Sequence, residues 1–316
     1  MTHPRPILTL TLNPALDMAT EVEEIIPGHK LRCGEPLLDP GGGGLNVSRA
    51  IRALGGESLA LVALGGLTGD RLAGLIRDSG ITFLSILGPG ETRLSLSVGE
   101  TSTGRQYRFM LPGPVWTAAD RGHVFTLLRA TAQPGGLSVI SGSQPPGMPI
   151  DLPAQLAASM PGCRVVLDIS GKPLMQAVRR PIPDLEVLRM DGEEAESLTG
   201  APLESREATA NFAEDLVRQG VAKKVVIARG AEGNLLVTAE RRIFAATPRV
   251  EVRSAVGAGD SFVAGLVLAL SRGQSDDEAL ALASAAAAAA VTTDATHLCR
   301  PEDVMRLLPA TRVSAV

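Results

Sequence analysis

The sequence has little that suits it to a disulfide framework, a structural metal or a nucleic acid. Its cysteines, Cys33, Cys163 and Cys299, lie far apart, with no CxxC pair and no histidine at ligand spacing. Such spacing argues against a disulfide framework and a structural metal site. The formal net charge of −4 is not the basic field that nucleic-acid binding needs. We therefore expect free thiols in a reducing compartment and no nucleic-acid partner.

Long apolar runs are also missing, as are internal repeats, linkers and long charge runs. The first residues, MTHPRPILTLTLNPALD, contain no apolar run long enough for a signal peptide or a membrane span, and the longest apolar stretch, ALALASAAAAAAV at 279–291, is too short to span a membrane. Its many alanines instead predict a closely packed interior helix. A cytoplasmic protein with no membrane partner is the expectation.

What the sequence does contain is a rhythm of apolar strands and helices. ILTLTL (7–12) is strand-like, and LSVIS, RVVLD, LEVLRM and KKVVIA follow from residue 137 with helical segments between them. This alternation predicts one α/β domain over 1–316, with a mostly parallel sheet covered on both faces. A helix is predicted at about 259–272, and NLLVTAE with RRIFAA predicts a hairpin.

A second, smaller β structure is predicted beside the main sheet. TRLSLSV and RQYRFMLPG alternate around the turn-like GETSTG, which indicates an antiparallel hairpin. We expect this small sheet to use parts of about 17–38 and 92–112. Ligands of open α/β sheets bind at the carboxyl ends of the strands, so the turns GGLTGD, SGSQPPG, DISG and ARGAEG should line one rim.

The segment SAVGAGDSFVAG (254–265) places Asp260 between a glycine turn and a helix. Gly257 and Gly259 allow backbone N–H groups to point at an anion, and the helix adds its positive end. Asp260 could then be a general base beside a phosphoryl group, or it could merely interact with the helix dipole.

A second glycine run, DPGGGGLNVSRA (39–50), also precedes a helix. Asn46 could cap that helix or bind sugar hydroxyls. The run fits neither GxGxxG nor GxxxxGK[ST], so a Rossmann oxidoreductase and a P-loop enzyme are disfavoured.

Several motifs in one order resemble the PfkB (ribokinase-like) carbohydrate kinases over essentially the whole chain. They are TLNPALD, PGGGGLNVSRA, SGSQPPG, VVLDISG, VVIARGAEG and AVGAGDSFVAG. GHKLRC (28–33), GRQYRFMLPG (104–113) and ATHLCRPED (295–303) are most similar to the minor-type 6-phosphofructokinase subgroup. The resemblance implies an α/β ribokinase-like three-layer sandwich with a small β-sheet lid, and a homodimer that pairs through that lid.

The implied activity is transfer of a phosphoryl group from ATP, with Mg²⁺, to the C1 hydroxyl of fructose 6-phosphate. Tagatose-6-phosphate kinase and 1-phosphofructokinase activities are alternatives, as is a non-catalytic sugar-phosphate-binding module. Asp260 would be the base, and Gly257, Ala258 and Gly259 the anion hole. The implied sugar-phosphate ligands are Asp17, Lys30, Gly42, Gly43, Gly44, Asn46, Arg93, Arg108 and Ser143, with Arg32 as a further candidate. The implied nucleotide-side residues are Asp168, Arg189, Asp191, Glu193, Arg229, Gly230 and Gly233, with Glu194 for the metal.

Simpler roles stay open for some of these residues. Asp17 could form a turn, Asp168 an Asx-turn, and the candidate arginines could be solvated charges that protect a strand edge. A phosphorylated substrate, however, needs cations that a free sugar does not, and arginine suits phosphate oxygens.

VLRMDGEEAE (187–196) departs from the family pattern. Arg189 replaces the usual Lys, Asp191 replaces the usual Asn, and Glu193 stands where related phosphofructokinases often have a basic residue. Ala255 also replaces a common Thr. An ionised Asp cannot donate a hydrogen bond as Asn does, so we expect a more acidic environment beside the nucleotide phosphates.

Overall fold

A computed structural model of the protein describes residues 4–294 and 297–316. A ten-stranded sheet forms its centre, in the order β14-β13-β12-β11-β10-β9-β8-β1-β4-β5. In this order, neighbouring strands from β11 to β5 are parallel to each other. The pairs β11–β12, β12–β13 and β13–β14 are antiparallel. Their bounds are β1 Ile7–Thr11, β4 Leu59–Leu64, β5 Thr82–Leu87, β8 Leu137–Ser141, β9 Arg164–Asp168, β10 Val187–Met190, β11 Lys224–Ala228, β12 Gly233–Val237, β13 Arg242–Ala246 and β14 Arg312–Ala315.

Helices cover both faces of this sheet because its strands are apolar on both sides. In β11, for example, Val225 and Ile227 join one hydrophobic cluster and Val226 joins the other. One face carries α3 Ala118–Thr131, α4 Leu152–Ala158, α5 Gly171–Arg179, α6 Gly192–Thr199 and α7 Arg206–Arg218. The other carries α1 Gly43–Ala53, α2 Gly66–Asp78, α8 Ala258–Ser271, α9 Asp276–Ala290 and α10 Pro301–Leu307. The predicted three-layer arrangement is confirmed.

The Ala-rich segment is α9, which packs along α8. Alanines allow close approach, and a Cβ on Gly265 of α8 would lie 2.8 Å from the Cα of Ala283. Such contact leaves no room for larger side chains, which explains the composition of the segment. The prediction of an interior helix is confirmed.

The small β structure is a separate four-stranded sheet in the order β3-β2-β6-β7. Its strands are β2 Ala15–Val22, β3 Leu37–Gly41, β6 Arg93–Glu100 and β7 Arg105–Met110. The strands lie within or next to the predicted segments, and β6 and β7 form the predicted hairpin. The connection at 23–36 contains no helix or strand.

The cysteines and the helix lengths can also be compared with the sequence predictions. Cys33, Cys163 and Cys299 are free thiols. None of the helices within 4–294 and 297–316 is long and apolar enough to cross a membrane. In the motif ATHLCRPED, Ala295 and Thr296 lie outside the described residues.

Candidate active site

Asp260 lies in the first turn of α8, directly after a glycine turn. Gly257 has a φ of 75°, which glycine adopts without the clash that a Cβ would cause. The helix then begins at Ala258. Because the first N–H groups of a helix have no partner within it, the Gly257–Gly259 segment has donors beside Asp260 that could bind an anion.

Asn46 contacts this carboxylate from α1. Its Nδ2 donates to Asp260 Oδ2 over 2.9 Å, which joins residues 214 positions apart. The cap of α1 is Gly42, and the helix begins at Gly43, so the alternative that Asn46 caps this helix is wrong. The two glycine-rich segments of the sequence therefore meet at one carboxyl group.

The glycine run allows α1 to approach the strand ends closely. A Cβ on Gly43 would lie 2.7 Å from the backbone N of Gly142, and one on Gly44 would lie 2.8 Å from Thr11 Oγ1. Both distances are shorter than Cβ atoms tolerate, so these positions need glycine. This approach brings Asn46 within reach of Asp260.

The surroundings of Asp260 raise the pKa of its carboxyl group. Although the side chain is partly exposed, burial raises its pKa from 3.8 to about 7, and the carboxylate of Asp168 adds to the effect. The Asn46 hydrogen bond and the Arg189 cation act in the opposite direction. A carboxyl group that titrates near neutral pH suits a general base.

Asp168 and Arg189 form an ion pair beside the N-terminus of α8. Arg189 Nη1 donates to Asp168 Oδ1 over 3.1 Å, and Ser141 Oγ donates to Asp168 Oδ2 over 3.0 Å. These bonds, rather than an Asx-turn, hold the carboxylate. A Cβ on Gly259 would lie 3.2 Å from both Nη atoms of Arg189, so the guanidinium borders the predicted anion hole. Its buried Nε has no hydrogen-bond partner among the described residues.

The acidic segment after β10 is a capping box for α6. Asp191 Oδ1 accepts from the backbone N of Glu194 over 2.8 Å, and the backbone N of Asp191 donates to Glu194 Oε2 over 2.9 Å. Burial raises the pKa of Glu194, and the Asp191 carboxylate adds to this. Glu193 is exposed.

The acidic segment contains Glu194, the predicted ligand of Mg²⁺. Within the described residues, no cluster of three or more His, Cys, Asp or Glu side chains could hold a metal ion. Mg²⁺ usually binds through one or two carboxylates together with substrate phosphates and water. The single partly buried carboxylate of Glu194 fits that arrangement, with the phosphates supplied by a nucleotide.

The small sheet presents a polar face that contains Asp17. Asp17 lies within β2 opposite Ser95 of β6, so the alternative that it forms a turn is wrong. Arg93 and Arg108 share this face through the strand registers. Burial raises the pKa of Asp17, and the Arg93 and Arg108 cations oppose that rise. The structure thus brings one acid and two predicted phosphate ligands together.

Other predicted substrate residues lie around this face. The Nε of Arg93 donates to the backbone O of Asn13 over 3.3 Å, and Asn13 Nδ2 donates to Ser143 Oγ over 2.9 Å. Lys30 and Arg32 are exposed in the connection between β2 and β3.

The Arg229 side chain contacts the loop before α7 and the start of that helix. Its guanidinium donates to the backbone O of Leu203 over 2.9 Å and to Glu232 Oε1 over 3.1 Å, and it also contacts Thr209. These contacts tie the loop before α7 to the end of β11. Gly230 and Gly233 bound the short 3₁₀ turn that follows.

Arg49 is a site residue that the sequence analysis missed. It lies three positions after Asn46 on α1, and its Nη1 donates to Asn46 Oδ1 over 3.2 Å. Because residues three apart on a helix are neighbours, their spacing in the helix expected after the glycine run could have revealed the pair.

Comparison with known proteins places this site in a family. Residues 12–303 match the pfkB family of carbohydrate kinases. The chain belongs to this family.

Curated relatives of the chain include two kinds of phosphofructokinase. The chain is 39% identical over 307 residues to the ATP-dependent 6-phosphofructokinase isozyme 2 of Mycobacterium tuberculosis, covering 95% of this chain and 88% of the relative. It is 37% identical to the isozyme 2 of Escherichia coli, covering 95% and 97%. The 1-phosphofructokinase of Bacillus subtilis is 31% identical, covering 98% and 99%.

Solved structures agree on the architecture. The crystal structure of phosphofructokinase-2 from Escherichia coli in complex with fructose-6-phosphate matches with a TM-score of 0.90 at 34% identity, covering 97% of this chain and 99% of that one. Arabidopsis thaliana ribokinase, at 21% identity and a TM-score of 0.73, shares the fold.

Proposed function

We propose that the protein transfers a phosphoryl group from ATP to the C1 hydroxyl of fructose 6-phosphate, giving fructose 1,6-bisphosphate. The observation that carries this is the position of Asp260, a carboxyl with a pKa of about 7 in the first turn of α8. The relatives named 6-phosphofructokinase, at 37% and 39% identity, support the substrate.

Asp260 acts as the general base in this proposal. It accepts the proton of the C1 hydroxyl as the oxygen attacks the γ-phosphorus and the bond to the β-phosphate oxygen breaks. The developing charge spreads over the equatorial oxygens, where the amides of Gly257, Ala258 and Gly259 can donate to it. Arg189 stabilises the same charge from beside Gly259.

The sugar phosphate binds under the polar face of the small sheet. Asp17 and Asn46 accept and donate hydrogen bonds to sugar hydroxyls, and the glycines at 42–44 allow the sugar to lie against the backbone. Arg93, Arg108 and Lys30 bind its phosphate, with Ser143 beside the substrate. Since Arg93 is partly buried near a single carboxylate, an arriving dianion gains a partner without breaking a strong ion pair.

The nucleotide lies along the ends of β9, β10 and β11. Asp168, Asp191 and Glu193 surround its phosphates, with Glu194 as the protein ligand of Mg²⁺. When bound, Mg²⁺ neutralises charge on the transferring phosphates. Gly230 and Gly233 let the nucleotide approach the turn, and Arg229 supports that turn from behind.

We also propose that the whole chain is one catalytic unit and that its small sheet is a lid that pairs in a homodimer. Opposite Asp17, the lid presents Leu94, Leu96 and Phe109, and Phe109 is 51% exposed. An apolar face of this kind is typical of an interface. Light scattering after size exclusion tests the dimer, and Phe109→Glu should shift the mass to that of a monomer.

The test of function is ADP release with Mg-ATP and, separately, fructose 6-phosphate, tagatose 6-phosphate, fructose 1-phosphate and fructose. Turnover led by fructose 6-phosphate supports the proposal. Turnover led by fructose 1-phosphate would favour the activity of the 1-phosphofructokinase relatives. Sugar-phosphate binding with no ADP from any acceptor would indicate a non-catalytic module.

A further inference from the structure

Arg49 of α1 makes hydrogen bonds both within its own helix and to β3 of the small sheet. Its Nη1 donates to the backbone O of Pro40 over 2.7 Å and to Asn46 Oδ1 over 3.2 Å, and its Nη2 donates to Asp39 Oδ1 over 3.2 Å. Asp39 and Pro40 belong to β3 of the small sheet, whereas Asn46 belongs to α1. Both Nη atoms of the guanidinium therefore donate hydrogen bonds at the same time.

The contact with Arg49 determines which way the Asn46 carboxamide faces. A guanidinium has donors and no acceptor, so it can pair only with the oxygen of the amide. The nitrogen then faces Asp260 Oδ2, which it reaches at 2.9 Å. Without Arg49, the amide could turn and present its oxygen to Asp260, and a carboxyl group facing an oxygen is favoured only when protonated.

From this geometry we propose that Arg49 is a positioning residue: it fixes the Asn46 amide in the orientation that keeps Asp260 ready to accept a proton, and it ties that orientation to β3. The inference rests on the proposed role of Asp260 as base. It does not depend on which sugar phosphate is the acceptor.

Several charged groups act on Asp260, and the effect of Arg49 must be separated from theirs. Asp168 on β9 and Asp17 on β2 favour the protonated carboxyl, and Arg189 on β10 opposes them. Arg49 itself also interacts electrostatically with Asp260. A substitution that keeps the charge of Arg49 but not its forked shape distinguishes position from charge.

The experiment is the pH dependence of kcat/KM in Arg49→Met, Arg49→Lys, Asn46→Ala and the Arg49→Met/Asn46→Ala double variant. In Arg49→Met we expect the acid limb to move up by about one pH unit, which lowers kcat/KM about tenfold on the acid side and little above pH 9. Arg49→Lys should fall between this variant and the wild type. The double variant should match Asn46→Ala alone.

Arg52→Met is the matched control, since Arg52 lies one turn further along α1 and is exposed; its acid limb should not move. Shifts that add in the double variant, or an Arg49→Lys limb identical to the wild type, would overturn the positioning role. So would a uniform loss at every pH. If Arg49→Met does not fold, Arg49→Lys takes its place in the cycle.

An activity-independent readout separates this inference from the proposed function. Carbon NMR of labelled aspartate, with Asp260 assigned by its absence in Asp260→Asn, gives the pKa of Asp260 without substrate. A higher pKa in Arg49→Met supports the inference even if no sugar phosphate is turned over. An unchanged pKa would overturn it even in an active enzyme.

Discussion

The candidate active site has two sides, one formed by the large sheet with its helices and the other by the small sheet. The side chains on the two sides are held in different ways. On the large-sheet side, side-chain hydrogen bonds hold two pairs, Asn46 with Asp260 at 2.9 Å and Arg189 with Asp168 at 3.1 Å. On the small-sheet side, Arg108 and Lys30 are exposed, and none of the ion pairs among the described residues includes them. The difference suggests that the chemical groups are arranged before substrate binds, whereas the phosphate ligands acquire their partner with it.

The largest effect is expected on the large-sheet side, from Asp260→Asn. Loss of a general base typically costs about 10²–10⁴ in rate, so kcat should fall roughly a thousandfold. Circular dichroism should be unchanged, because Asn keeps the shape of the side chain. Asp215→Asn, an exposed acid on α7, is the control and should keep full turnover.

On the small-sheet side, Arg93→Met should raise the KM for fructose 6-phosphate by about 10-fold to 100-fold, with kcat changed only a few-fold. A hydrogen bond to a charged group contributes about 1.5–3 kcal/mol, which corresponds to that range. Steady-state kinetics with fructose as a second acceptor checks the cause. A similar loss with unphosphorylated fructose would show that Arg93 does not act on the phosphate.

The acidic segment after β10, also on the large-sheet side, is tested by Asp191→Asn, which restores the residue usual in the family. The variant removes one negative charge beside the nucleotide phosphates but keeps a good helix cap. We expect the KM for Mg-ATP to fall about threefold, as for a charge effect of about 1 kcal/mol or less. Glu193→Gln, at an exposed position, should change the KM for Mg-ATP less. A change in the KM for fructose 6-phosphate instead would contradict the proposed position of the nucleotide.

The smallest effect concerns stability. The pKa of Asp260 is raised in the folded state, so the protein loses stability as pH rises from about 4 to about 7 and stays at the lower level above that. Asp260→Asn should therefore raise the melting temperature by a few degrees at pH 8 and by less at pH 5. Differential scanning fluorimetry checks this, and equal melting temperatures at pH 8 would contradict a desolvated carboxylate.

The sequence predicted elements with strong local patterns. β8, β9, β10 and β11 are short apolar runs between turns, and their order along the chain implied a parallel sheet. β14, in contrast, is a short and mostly exposed segment that becomes a strand only by pairing with β13. Nothing local in RVSA indicates that partner.

The candidate site also contains contacts that local sequence patterns do not predict. Asp260 and Asn46 could be singled out because each follows a glycine run at a helix start. That they bond to each other depends on the packing of α1 against α8, which no local pattern contains. The position of Arg229 along the nucleotide stays a prediction, whereas its hydrogen bond to Leu203 depends on the loop before α7, a tertiary neighbour that no local pattern shows.

The most direct test of the account is kcat for ADP formation from fructose 6-phosphate between pH 5.5 and 9, in the wild type and in Asp260→Asn side by side. The account predicts a wild-type rate that rises with pH and levels off above about 7, and a variant slower by orders of magnitude without that limb. Near-full turnover in the variant, or the same limb in both proteins, would contradict Asp260 as the base.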